Sequence, residues 1–225
     1  NHCDDAHLFA VGDDWQSIYA FKGARPEYFA NFEEHFSPAK TTYLDINYRC
    51  PSGVVEASNE LMATTTQQTS KSLVPGEMNA DSNPVIHRVP GEEGYQYETN
   101  AISALVDVIK DAVKPPERSP GDIMVIARNE LGSPYIPRLT NELQKINIPV
   151  GGSNGVTLST AHGAKGEEAD HVIIANAVRE QRDGFPATER DSGLMKAVDS
   201  TSDSHMAEER RLFYVALTRP KKQVD

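Results

Sequence analysis

Four short blocks bring together side chains that hold anions and stack on bases. The first runs from Val11 to Ala24 as Val-Gly-Asp-Asp-Trp-Gln-Ser-Ile-Tyr-Ala-Phe-Lys-Gly-Ala. Gln16 offers an amide that donates to an oxyanion. Tyr19 and Phe21 are aromatic and Lys22 is cationic. Aromatics beside a cation suit a single-stranded nucleic acid, with bases stacked and phosphate neutralised. The plain alternative is a buried aromatic cluster with a capping Asp. The second block is Leu44 to Arg49, with Arg49 just past a strand and just before a helix. An anion is favoured there; the alternative is a surface ion pair. The third runs from Val156 to Asp170, where a strand leads into His162-Gly163-Ala164-Lys165-Gly166. Glycines let backbone N–H groups approach a ligand closely. This is not the Gly-x-x-x-x-Gly-Lys-Ser/Thr phosphate loop, and a lone His at a strand end is more often structural. The fourth runs from Glu208 to Pro220. Glu208 and Glu209 suit a helix N-terminus and Arg219 a C-terminus, so alone the block decides nothing.

The elements that must position these blocks alternate along the chain. Strands are predicted at Leu8–Val11, Tyr43–Ile46, Val85–Val89, Ile123–Ala127, Ile148–Val150, Val156–Thr160 and His171–Ala175. The lead-in to a further strand follows Arg219. Helices are predicted after Pro51 and Ser52 through Met62, over about Glu98–Val113, over Pro137–Ile146 and over Met206–Leu217. Continuous apolar strands alternating with amphipathic helices imply an α/β fold, a parallel sheet covered by helices on both faces. Residues 67–83 form a weakly patterned connection. Residues 180–209 hold eight acids and three bases, a net charge of −5, and the first two-thirds read as a surface loop.

Composition bounds the rest. The 225 residues are 38% hydrophobic and carry a formal net charge of −11. That supports one sizeable core, or a core and a smaller lobe. The acidic balance argues against nucleic-acid binding through bulk charge, though not against a locally basic groove. No run approaches the roughly 18 apolar residues of a membrane-spanning helix, so no membrane partner is expected. Two cysteines, Cys3 and Cys50, suit a reducing, cytoplasmic compartment. No Cys/His spacing resembles a metal site.

Taken in order, the four blocks resemble the motifs of the UvrD/Rep branch of superfamily 1 helicases. The block around Gln16 resembles motif III, Asn47-Tyr48-Arg49 motif IV, Thr160 to Glu168 motif V, and Glu208 to Arg219 motif VI. The resemblance implies a RecA-like, P-loop NTPase type of fold, with ATP and Mg²⁺ as cofactors and single-stranded DNA as partner. It implies that Gln16 senses the γ-phosphate and that Arg49 and Arg219 reach the same phosphate across a cleft. Donors placed there stabilise charge developing during phosphoryl transfer. Tyr48 is implied to stack on adenine and Glu168 to bond the ribose, with Gly166 also at the nucleotide. Tyr19, Phe21, Lys22, Thr160 and His162 match positions that touch single-stranded DNA. Phe21 stands where many relatives carry Trp, and Lys22 where many carry Arg. Stacking survives the first change, but bidentate phosphate contact does not survive the second.

The family's Walker A loop and the Asp-Glu pair of motif II do not occur in this sequence. Asp13 and Asp14 belong to the motif III loop instead. The resemblance therefore predicts one piece of a larger protein, with the Mg²⁺ ligands on an N-terminal RecA-like domain that is its partner. Residues 1–36 are expected to end that first domain. Residues 37–225 are expected to form the second, with a reduced insertion and an acidic loop at 180–205. By itself the chain is expected to have no ATPase activity. The competing readings are a non-catalytic DNA- or protein-binding module and part of a helicase–nuclease subunit. Arg49 and Arg219 favour the enzyme, because a pure binding module has no use for them.

Overall fold

The computed structural model describes residues 8–65, 68–89, 95–114, 118–128, 135–177, 184–187 and 202–225. Two single-turn helices, α1 (Glu27–Ala30) and α2 (Phe32–His35), precede β1 (Ile46–Asn47), α3 (Ser52–Ala63) and β2 (Val74–Pro75). Then come α4 (Tyr95–Ala112), β3 (Ile123–Ala127), α5 (Tyr135–Lys145), β4 (Thr157–Thr160), β5 (Ala169–Ile174), α6 (Ser202–Leu217) and β6 (Pro220–Val224). The main sheet has the order β4-β3-β5-β6 and every pairing is parallel. Val125 of β3 lies opposite Leu158 of β4 and Ile173 of β5.

The alternation of side chains along a strand explains how one sheet carries two cores. Met124 and Ile126 face one side, where they pack with Val54 and Val55 of α3, Leu212 and Val215 of α6, and Ile18. Ile123 and Val125 face the other, with Ile102 and Ile109 of α4 and Leu139 and Leu143 of α5. All five β3 residues are buried, as a strand covered on both faces requires. Each fully buried Ile or Leu removes apolar area worth roughly 1.5–3 kcal/mol. The fold is therefore the α/β class expected, a parallel sheet with helices on both faces.

Several predicted strands differ. Leu8, Phe9 and Val11 are exposed and form no strand, because no neighbouring strand meets their backbone. Tyr43–Ile46 shrinks to β1, which pairs in parallel with β2 in a separate two-stranded ribbon. Pro75 lacks an N–H and so limits that ladder. Residues 85–89 are not a strand either. Val85 N–H donates once to Val224 O of β6 at 3.0 Å, and Ile86 beside it projects into solvent. At Val150 only a single bridge to Val156 forms, next to Pro149 and the left-handed Gly151 and Gly152. The predicted helices all form. Pro137 sits in the first turn of α5, where its missing N–H costs nothing.

Much of the expected acidic loop lies outside the described residues, and its last positions, from Ser202, already belong to α6. Among the described residues no helix is long and apolar enough to cross a membrane. Most apolar side chains before residue 47 are exposed, but Trp15 and Ile18 are sunk into the body of the chain.

Candidate functional site

The Gly-Asp-Asp loop is built around Asp13. Its carboxylate caps a short 3₁₀ turn, Asp14–Gln16, by accepting from Trp15 N–H at 3.1 Å. It also accepts from the Gln16 side-chain amide at 2.7 Å. A carboxylate only accepts, so Nε2 must face it, and this fixes which way round the amide lies. Lys71, from the weakly patterned connection, reaches Asp13 at 2.5 Å and Asp14 at 3.2 Å. Thr69 N–H donates to Asp14 at 2.5 Å, and Trp15 Nε1 donates back to Thr69 O at 3.2 Å. The Trp15 ring meets Tyr214 of α6 edge-on, with centroids 5.4 Å apart.

Arg49 is set at the head of α3 by Asn47, whose side-chain oxygen accepts from Arg49 N–H at 3.0 Å and Cys50 N–H at 2.8 Å. Arg49 Nη2 then donates to Thr218 O at 2.7 Å. Arg219, the next residue, is buried. It donates from Nε to Val215 O at 2.7 Å, from Nη1 to Glu167 O at 3.3 Å and from Nη2 to Thr218 Oγ1 at 3.1 Å. Those three bonds leave two of its five N–H donors for other acceptors. Burial, and then the nearby positive charge of Arg49, push its pKa down to about 10. Arg49 Nε is buried without a hydrogen-bond partner among the described residues.

Tyr214 stands where these segments meet. Burial raises its pKa and the nearby Asp13 carboxylate raises it further, while the guanidiniums of Arg219 and Arg49 pull it down. Three of the four blocks thus converge on one phenol. The sequence reading overlooked Tyr214 as a hub, and it overlooked Lys71. Arg211 is also buried there. Burial lowers its pKa, against the opposing pull of Asp14, Glu208 and Glu27.

A second cluster joins the first and third blocks. Tyr19 OH donates to His162 O at 3.4 Å, and the Tyr19 and His162 rings lie 6.0 Å apart. Lys22 Nζ and Lys165 Nζ sit 4.9 Å and 5.1 Å from the Tyr19 ring centre. Lys165 also donates to Gln16 O at 2.9 Å and so links the two clusters. Thr160 Oγ1 accepts from Gly163 N–H at 3.0 Å at the end of β4. At Gly163 a Cβ would come within 2.9 Å of Ser159 Oγ, and Gly166 has φ +92°, where an L side chain is strained. The backbone N–H of Ala20, in the turn that bears Phe21 and Lys22, favours the charged form of the nearby Glu208 carboxyl. The Phe21 side chain lies outside the described residues.

The remaining candidates stand apart. The Tyr48 side chain is exposed and its ring lies against Gly76. Glu168 is half exposed, 3.7 Å from Lys221. None of the described residues forms a cluster of three or more His, Cys, Asp or Glu able to hold a metal ion.

Residues 151–224 match the UvrD-like helicase C-terminal domain, and residues 2–37 match the UvrD/REP helicase N-terminal domain. The chain is 34% identical over 219 residues to DNA helicase IV of Escherichia coli K12, covering 96% of this chain and 29% of that protein. It is 28% identical over 222 residues to a probable DNA helicase of Mycoplasma pneumoniae, covering 96% of this chain and 37% of that one. It thus spans about a third of the length of these curated relatives. The solved C-terminal domain of a possible DNA helicase from Lactobacillus plantarum aligns at 17% identity and a TM-score of 0.43, over 79% of this chain and 84% of that one. With both profiles in the expected order along one parallel α/β chain, the protein belongs to the UvrD/Rep branch of superfamily 1 helicases and carries its C-terminal domain.

Proposed function

We propose that this chain supplies part of the ATP-hydrolysing and DNA-gripping machinery of a 3′-to-5′ DNA helicase. One observation carries the reading: Arg49 and Arg219, distant in sequence, meet at Thr218. Burial, and after it the neighbouring charge of Arg49, disfavour the positive charge on Arg219. An anion between them reverses that penalty. Arg49 Nε, buried without a partner among the described residues, is a donor that a terminal phosphate would engage. ATP, when bound, supplies the phosphoanhydride whose cleavage drives movement. Arg49 and Arg219 hold positive charge toward its outer end, and Gln16, locked by Asp13, presents an oriented amide. Tyr48 offers an exposed ring for adenine. Glu168 and the Gly166 turn border the same loop whose Glu167 carbonyl binds Arg219.

In the same proposal the Tyr19, Lys22 and His162 cluster, with Phe21 and Thr160, receives single-stranded DNA. Mg²⁺ and its ligands belong with an N-terminal RecA-like domain. Residues 1–36 complete that domain and residues 37–225 form the second. The test is DNA-stimulated phosphate release. The chain alone is expected to stay at background, and the chain joined to a first domain bearing a Walker A loop is expected to turn over. Turnover by the repurified chain alone overturns the division of labour. No turnover by the joined protein overturns the enzyme reading in favour of a binding module.

A further inference from the structure

We propose that Lys71 is a positioning residue for Gln16, acting through Asp13. This rests on the reading of Gln16 as the group that meets the terminal phosphate. The ammonium of Lys71 lies 2.5 Å from Asp13 Oδ1, while Asp13 Oδ2 accepts from Gln16 Nε2 at 2.7 Å. One carboxylate therefore bridges the lysine and the amide. The same ammonium lies 3.2 Å from Asp14 Oδ1 and 4.7 Å from the centre of the Trp15 ring. Lys71 thus touches three consecutive residues just before Gln16.

Burial makes this arrangement consequential. The Asp14 side chain is wholly buried, that of Lys71 is 16% exposed and that of Asp13 is 30% exposed, so solvent screens the cluster only in part. A carboxylate without its cation would turn toward water or toward another donor. In either case Asp13 would release the Gln16 amide, which would then sample several orientations. Lys71 comes from the segment that follows α3, the helix headed by Arg49. It therefore ties the glutamine to the body that carries the arginines. A lysine suits the task because its three N–H donors radiate from one point, whereas a planar guanidinium aims all its donors in one plane.

The test uses Lys71→Met, Lys71→Arg, Gln16→Ala and the double variant Lys71→Met/Gln16→Ala, in the helicase that contains this chain. Lys71→Met is expected to lower kcat by about 10²-fold, the scale of a misplaced catalytic group, with KM for ATP little changed. Lys71→Arg is expected to restore part of the rate. The double variant is expected to be no slower than Gln16→Ala. Effects that multiply in the double variant would overturn the proposal, as would wild-type kcat in Lys71→Met while Gln16→Ala is slow. If Gln16→Ala itself turns over normally, the phosphate-sensing reading fails instead. A second measurement then decides the positioning: the side-chain amide resonances of Gln16 in the 225-residue chain. Displacement of the amide proton bonded to Asp13 is expected in wild type and Lys71→Arg and lost in Lys71→Met. Unchanged amide resonances in a folded Lys71→Met chain would overturn the positioning role.

Discussion

Arg49 donates to the carbonyl of Thr218 at 2.7 Å and so stands beside Arg219. Ordinary surface pairs are worth roughly 0–1 kcal/mol and pair opposite charges. Here two like charges are brought together, and backbone carbonyls hold them.

From this follows a kinetic expectation. On the proposed function, in this chain joined to a first domain bearing a Walker A loop, Arg49→Ala and Arg219→Ala should each lower kcat by about 10³-fold or more. Binding of single-stranded DNA should stay nearly unchanged, because neither arginine belongs to the Tyr19 cluster. Arg219→Lys should not rescue, since Val215 O, Glu167 O and Thr218 Oγ1 are met by three separate nitrogens of the guanidinium, and a lysine has only one. Steady-state ATPase and DNA anisotropy measured on the same preparations check both halves; near-wild-type turnover would remove the assignment.

The lysines over Tyr19 have a different signature. Lys22→Ala and Lys165→Ala should each reduce the salt dependence of single-strand binding by about 0.7 in log–log slope, one phosphate contact apiece. Tyr19→Ala should weaken binding by about 1–3 kcal/mol at every salt concentration, as expected for a lost stacking platform. A titration series at several salt concentrations separates the two. An unchanged slope in both lysine variants would place the DNA elsewhere.

A buried ion pair that the motifs did not single out is sensitive to the loss of either partner. Arg128, just past β3, donates from Nε and Nη2 to Glu209 of α6 at 3.0 and 2.6 Å, and Ala187 N–H donates to the same carboxylate at 2.9 Å. Arg128→Met leaves a buried, uncompensated charge and should cost about 3–5 kcal/mol. Changing both residues, Arg128→Met with Glu209→Leu, should recover part of that loss. Urea unfolding gives both numbers, and an additive double variant would show the pair to be uncoupled.

Glu208 gives stability a pH dependence. Burial, and then the charge of Glu209, raise its pKa above the ordinary 4.5. A carboxyl with a raised folded pKa binds its proton more tightly in the folded state. It therefore favours folding below the unfolded pKa, and that contribution is lost as pH rises through the folded value. Glu208→Gln keeps the size and polarity of the side chain but cannot ionise. The variant should lose less stability than wild type as pH rises above 4.5. Parallel pH curves for the two proteins would contradict this.

How far the sequence carried these features depends on where their meaning resides. The apolar run Ile123–Ala127 is local, and the alternation of its side chains already implies a doubly covered strand. Helices α3 to α6 likewise declare themselves through periodicity and prolines. That Arg49 and Arg219 come together was expected from their place in the ordered motifs, and Arg49 does donate to the carbonyl of Thr218 beside Arg219. Lys71 was not, because its partner Asp13 lies 58 residues away and nothing in its own neighbourhood is periodic. Leu8–Val11 misled for the opposite reason. Its apolar pattern is that of a buried strand, yet hydrophobicity alone does not supply the neighbouring backbone that a strand must bond.

Trp15 is the only tryptophan in the chain. It is 2% exposed and wedged between the Tyr214 ring and the Lys71 ammonium. Indole emission excited at the red edge of absorption therefore arises at a single place, the seam between the Gly-Asp-Asp loop and α6. The protein carries its own optical reporter there, needing no label. A red shift in that emission signals water entering the seam, and a change in quenching signals a move of the ammonium or the phenol. Any displacement of the loop that holds Gln16 would thus be directly visible in real time.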